Sequence, residues 1–177
     1  RTLGVLNNKH IPMSYQRASI LERASLLHGL LDTDGTVGKT NGQIEYTTVS
    51  PRLAQDVFDL AAGLGYKPAI SIGRATLYGR DCGPKWRIRW ITSNPAVIRL
   101  PRKRARINQK ATRVKQEKQR YIIGCNRIES VPVKCISVDS PSSLFLITRH
   151  CIPTHNTEFG ISLVLEWILK GKPVAWF

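Results

Sequence analysis

Between positions 19 and 32, apolar side chains fall at Ile20, Leu21, Leu26, Leu27, Leu30 and Leu31. That spacing follows a 3.6-residue repeat and predicts an amphipathic helix. Asp34-Gly35 is a turn signal at its end. Over 43–49 the pattern alternates with period two, as a half-buried strand does. Ser50-Pro51 then opens a second helix, with serine as cap and proline in the first turn. Leu53, Val57, Leu60, Ala61 and Leu64 supply its apolar face, and Gly65 closes it. Strand-like runs follow at 69–72 and 86–91. In the latter, Trp86, Ile88 and Trp90 alternate with Arg87 and Arg89, which predicts one buried and one cationic face. The predicted order is helix, hairpin, helix, hairpin, then more helix.

From Tyr121 the texture changes to short apolar β runs, at 121–124, 131–138 and 144–147. After Asn156 it changes again, to a helical run over 158–170 and a strand-like end at 174–177. The chain therefore reads as α+β in three parts, 1–120, 121–156 and 157–177.

At 177 residues there is room for one ordinary domain or two small ones, and 42% hydrophobic residues are enough for a core. The formal charge of +15 favours a polyanionic partner, and nucleic acid is the commonest one. Ten Lys or Arg and a single acid, Glu117, fall within 99–120. Such a run serves either as a solvated helix face with linker or as direct phosphate contact. Cys82, Cys125, Cys135 and Cys151 form no C-x-x-C pair, which argues against zinc. A reduced, cytoplasmic setting fits the scattered thiols. No apolar run approaches the roughly 18 residues that span a bilayer, so no membrane partner is expected. The start at Arg1 reads as that of a fragment.

Leu27-His28-Gly29-Leu30-Leu31-Asp32-Thr33-Asp34-Gly35 resembles the nine-residue signature of the LAGLIDADG homing endonucleases, matching at Leu27, Gly29, Leu30, Asp32, Asp34 and Gly35. The resemblance implies a saddle of strands seated on double-stranded DNA, with two such helices packed through small residues, Gly29 here. It also implies cleavage with Mg²⁺. Each helix end would deliver one carboxylate to a shared metal site, and position matching gives that role to Asp34. Asp32 would support the helix end. Phosphodiester cleavage suits this set, because a hard cation prefers carboxylate oxygen. The competing reading of Asp-Thr-Asp-Gly is a plain helix-to-strand turn. Asn8-Lys9-His10-Ile11-Pro12 resembles the family's Lys-x-Ile-Pro block, and Arg99-Leu100-Pro101-Arg102-Lys103 its block after the last hairpin. Lys9 and Lys103 are thus candidates to orient water or stabilise developing charge at a phosphate. Candidate DNA contacts are Gln43, Glu45, Thr47, Arg87, Arg89, Arg102 and Arg104. The second carboxylate-bearing helix is expected upstream of Arg1, or else from a homodimer.

His155-Asn156-Thr157, preceded by Ile152-Pro153-Thr154, and the stretch from Val133 to Asp139 around Cys135 resemble the downstream end of an intein. The resemblance implies that 121–156 is the C-terminal portion of a splicing (Hint) domain and that splicing needs no cofactor. Asn156 would cyclise, His155 would assist, and Thr157 would accept the acyl group. Cys135 together with Thr154 resembles the class 3 set, in which an internal cysteine forms the first thioester. The competing reading of Cys135 is a small buried apolar residue. The missing upstream half of the intein is an expected partner. Residues 157–177 resemble a P-loop ATPase host just after its Gly-Lys dipeptide, most of all a phage terminase large subunit. The rival functions are a free-standing DNA-binding or nicking protein without splicing, and a P-loop ATPase with a degenerate basic insertion.

Overall fold

The computed structural model describes residues 3–39, 42–107, 123–129, 131–132 and 136–155. The chain divides into two units, Arg1–Tyr121 and Ile122–Phe177.

In the first unit a short helix α1 (Met13–Gln16) leads into α2 (Ile20–Thr33). Ser19 caps α2 through a capping box: its hydroxyl oxygen accepts from the Glu22 N–H, and the Glu22 carboxylate accepts from the Ser19 N–H at 3.0 Å. The Ser19 hydroxyl also donates to that carboxylate at 2.7 Å, and this bond, followed by the one from the Ser19 N–H, holds the Glu22 carboxyl below its ordinary value. Strands β1 (Gly35–Val37) and β2 (Ile44–Thr48) form the first hairpin, followed by α3 (Pro51–Gly63). The Ser50 hydroxyl accepts from the Leu53 N–H at 3.2 Å, Pro51 stands in the first turn, and Gly65 takes φ +86° just past the end. Strands β3 (Ala69–Leu77) and β4 (Arg80–Trp90) complete one antiparallel sheet of order β1-β2-β4-β3. A 3₁₀ turn (Pro95–Val97) and a short helix α4 (Pro101–Arg104) follow. Residues 108–122, which carry half of the ten basic residues of the run, lie outside the described residues.

Helix α3 lies against β2, β3 and β4, and α2 against α3 and β1. Sandwiched between sheet and helix, α3 buries more than the single face expected. Ala54, Phe58 and Ala62 join Leu53, Val57, Leu60 and Ala61 inside. The α2 stripe is shorter than its sequence predicts. Leu27 and Leu31 are fully buried, whereas Ile20 and Leu21 are 68% and 80% exposed. Arg23 donates to the Gly63 carbonyl at the far end of α3, so Ile20, a turn earlier, has no layer to rest on. Leu21 points off the buried face, since a helix turns about 100° per residue.

The second hairpin runs well past 69–72 and 86–91. Residues 73–85 carry Gly, Pro and polar side chains without alternation, because neither face of that extension is buried. Tyr78 and Gly79, both at positive φ, make its turn, and Arg74 pairs with Asp81 near the tip.

In the second unit β5 (Phe145–Ile147) and β6 (Ile152–Thr154) form a hairpin with Phe145 opposite Thr154. The strands expected at 121–124 and 131–138 do not form over their described residues. Ile123, Val131 and Ile136 are exposed, so their apolar pattern finds no sheet to bury it. The helix and strand expected over 158–170 and 174–177 lie outside the described residues.

Candidate active site and nucleic-acid interface

Asp34 is the residue on which α2 ends. Its N–H reaches the Leu30 and Leu31 carbonyls, and its side chain is exposed. Among the described residues the Asp34 carboxylate has no hydrogen-bond or ion-pair partner. It opens onto a cavity of about 460 Å³ lined also by Lys9, Leu26, Leu30, Tyr46 and Leu53. Lys9 is held there by its backbone, whose carbonyl accepts from the Ser50 hydroxyl at 3.1 Å. The next turn is tied down too, since the Asp56 carboxylate accepts from the Ile11 N–H at 2.8 Å and from Gln16 at 3.1 Å. Tyr46 stands opposite Gly35 in the β1–β2 ladder. Burial, and then the Asp34 charge, push its phenol above the ordinary value, so it stays a neutral donor at physiological pH.

Behind Asp34 the end of α2 is clamped to the segment after β4. One Asp32 carboxylate oxygen accepts from the Arg99 N–H and the Leu100 N–H, both at 3.1 Å. Lys103, only 8% exposed, donates from Nζ to the Leu31 and Asp32 carbonyls, both at 2.8 Å. Those carbonyls belong to the last turn of a helix, which leaves acceptors unpaired and is the negative end of its dipole. Burial pushes the Lys103 ammonium below its ordinary value and Arg102 adds to that, while Asp32 and Asp34 oppose it. The two sequence-predicted lysines therefore stand differently. Lys9 is exposed and lines the cavity with Asp34, whereas Lys103 is buried and bonded to the backbone that presents Asp34.

The sheet turns Ile44, Tyr46, Ile88 and Trp90 toward the helices. Alternation therefore sends Glu45, Thr47, Arg87 and Arg89 to the open face. Glu45 stands directly opposite Arg89, and Thr47 opposite Arg87. Arg89 donates to the Ser71 hydroxyl on β3 at 3.1 Å, and Thr47 donates to the Glu45 carboxylate at 3.2 Å. Gln43 precedes β2 and is half-buried. Arg102 is exposed on α4. Arg104 is engaged with the backbone instead, donating from Nε to the Pro95 and Ile98 carbonyls at 3.3 and 3.2 Å.

A family model described as a LAGLIDADG-like domain matches residues 22–128. The chain belongs to the LAGLIDADG-like domain family. Among curated relatives, a replicative DNA helicase DnaB of Mycobacterium intracellulare is 35% identical over 173 residues, covering 97% of this chain and 30% of that protein. A replicative DNA helicase DnaB of Mycobacterium leprae (strain TN) is 39% identical over 46 residues, 26% of this chain and 8% of that protein. The chain thus spans under a third of the length of the relatives it matches. The expected terminase host finds no support, because both relatives carry the name of a helicase.

For a LAGLIDADG-like domain the described residues fit half of a cation site. Asp34 offers an unengaged carboxylate at a fixed helix end, while no cluster of three or more metal-ligating side chains exists among the described residues. Hard cations take six or more oxygen ligands, several of which water supplies, so Asp34 would be one protein ligand of such a site. Among the described residues no helix is long and apolar enough to cross a membrane.

Of the splicing candidates, Thr154 ends β6 and His155 follows it, both half-buried. Cys135, Asn156 and Thr157 lie outside the described residues. Tyr46 and Ser71 are the contributors that sequence reasoning passed over. The strand alternation does put Tyr46 on the buried side, next to the motif's own hairpin, but no local signal ties Ser71 to Arg89.

Proposed function

We propose that this chain is the C-terminal part of an intein whose LAGLIDADG-like portion makes Mg²⁺-dependent, site-specific double-strand cuts in DNA. The observation that carries the nuclease reading is the Asp34 carboxylate. It is unengaged, it ends a helix clamped by Asp32 and Lys103, and its domain presents arginines on an open sheet face. A bound Mg²⁺ would be held in part by Asp34 and would supply charge neutralisation at the phosphate and activation of water. Lys9 faces the same cavity and can hydrogen-bond a phosphate oxygen or water there. Lys103 acts as a positioning residue, because its ammonium is spent on the carbonyls of α2. The second carboxylate-bearing helix comes from another part of a longer protein or, failing that, from a second copy of this chain. Plasmid cleavage by the longer protein, with and without chelator, tests this; equal cutting in excess EDTA would refute it.

Arg87 and Arg89 contact phosphates in this reading, so DNA affinity should fall steeply with salt. Each neutralised phosphate contributes about 0.9 to the slope of log K against log salt. Arg87→Ala combined with Arg89→Ala should therefore lower the slope by about 2 and weaken binding on all sequences alike. Fluorescence anisotropy over a KCl series measures it, and an unchanged slope would remove these arginines from the interface.

The splicing part rests on the spacing of Cys135, Thr154, His155, Asn156 and Thr157 and on the β5–β6 hairpin that delivers Thr154 and His155 together. The Asn156 side-chain nitrogen attacks its own carbonyl carbon, closes a succinimide and releases the Thr157 amine, with His155 supplying the proton. Before that step Cys135 takes the upstream segment as a thioester, and the Thr157 hydroxyl then receives it. In the full precursor, Cys135→Ala should stop cleavage at the upstream junction, and Thr157→Ala should permit cleavage without ligation. Gel analysis with hydroxylamine reads both, and wild-type upstream cleavage in Cys135→Ala would return that thiol to a packing role. In this reading the host is an interrupted replicative helicase, which the names of the two relatives support.

A further inference from the structure

Over the stretch where β2 pairs with β4, the open face of the sheet carries one carboxylate, Glu45, among arginines. A carboxylate there is costly if the surface only holds phosphates, because like charges repel and the chain is otherwise strongly basic. The ordinary structural explanation would be a cross-strand ion pair with Arg89, which stands directly opposite. The geometry does not take that option. Arg89 turns its guanidinium to the Ser71 hydroxyl on the far strand, and the ion pair found among the described residues is Arg74 with Asp81. The Glu45 carboxylate is instead oriented by the Thr47 hydroxyl, which donates to Oε1 and leaves Oε2 without a hydrogen bond among the described residues. A half-buried acceptor, oriented by Thr47 and offered outward beside cationic groups, suits a ligand that brings an N–H donor.

On a DNA duplex the phosphates and sugar oxygens cannot supply that donor. In the major groove the exocyclic amines can, and the N4 amino group of cytosine is the usual partner of a carboxylate. We propose that Glu45 is a specificity-determining residue that accepts a hydrogen bond from cytosine N4 at one position of the target. This rests on the reading that the open sheet face binds DNA. Arg87 and Arg89 hold the strand, and Glu45 rejects bases whose major-groove edge presents an acceptor there, such as thymine O4 or guanine O6.

The full chain, in EDTA, is equilibrated with duplexes bearing a randomised segment, and the bound fraction is sequenced. Wild-type protein should require cytosine at one position. Glu45→Ala should lose that preference, on the order of tenfold, while the preferences at other positions stay. Glu45→Gln, nearly isosteric, should shift the same position toward adenine, whose N6 and N7 match an amide. Identical preferences in wild type and both variants would overturn the proposal and leave the DNA reading standing. So would a uniform rise in affinity for every sequence in Glu45→Ala, the signature of a carboxylate that only repels phosphate. Absence of any sequence preference in wild type would overturn the proposal together with the reading beneath it.

Discussion

Asp34→Asn should reduce Mg²⁺-dependent cleavage by on the order of 10³-fold or more while leaving the fold and DNA binding in place. The size follows from what a ligating carboxylate does. Charge stabilisation by a bound cation is worth several kcal/mol at the transition state, and about 1.4 kcal/mol is tenfold in rate. The selectivity follows from this structure. The Asp34 side chain is exposed and takes no hydrogen bond among the described residues, so the amide changes little in the folded state. Its backbone N–H, which closes α2, is untouched. A surface change of that kind stays within about 0.5 kcal/mol of stability. The variant, made in the longer protein of the proposed arrangement, should melt with the wild type and bind DNA with equal or slightly higher affinity. Wild-type cutting by Asp34→Asn would remove the carboxylate from the metal site. Loss of binding alongside cutting would show a folding defect instead.

The helix end at Asp34 was legible in the sequence because Asp34-Gly35 is a local turn signal, and local patterns survive without coordinates, whereas the metal role proposed for Asp34 rests on the motif resemblance. The same holds for Ser50-Pro51 at the start of α3 and for the alternation that sends Arg87 and Arg89 outward. What failed to show in the sequence depends on distance along the chain. Lys103 reaches carbonyls 72 and 71 residues earlier, and Asp32 collects amides 67 and 68 residues later. No periodicity encodes such bonds, so a lysine whose position invited a role at the phosphate turned out to be buried under a helix end. Apolar pattern also overreached where nothing was available to cover it, at Ile20 and Leu21 before the layer begins and at Ile123 and Val131 in the second unit. The long β3–β4 hairpin erred in the opposite direction. Its outer half lacks alternation because both faces are open, and backbone pairing with the Arg74–Asp81 bridge holds it.

Gly35→Ala should be the most destabilising single methyl that the motif can accept. Gly35 is buried where α2 passes into β1, and a Cβ there would lie 2.7 Å from both Leu31 Cα and the Leu31 carbonyl oxygen. Those are backbone atoms of the last helical turn. They cannot drift aside, because the Leu31 carbonyl also receives the Asp34 N–H and the Lys103 ammonium. Relief would have to come from parting β1 from the helix end, at the ladder pair of Gly35 with Tyr46. Overpacking typically costs about 1–3 kcal/mol, and a clash with fixed backbone belongs at or above the top of that range. For a unit of this size the melting midpoint should fall by more than about 10 °C. Gly29 supplies the contrast within the same helix. An added Cβ there meets nothing within 4 Å, so Gly29→Ala in the isolated chain should raise stability by about 0.5–1 kcal/mol through reduced backbone entropy. In the longer protein, where a second motif helix packs at Gly29 in the proposed arrangement, the same methyl should weaken that packing and lower cleavage. Thermal melts of both variants, in the chain alone and in the longer protein, separate the two glycines. A Gly35→Ala chain as stable as wild type would mean that the α2 end is not held as tightly as its hydrogen bonds imply.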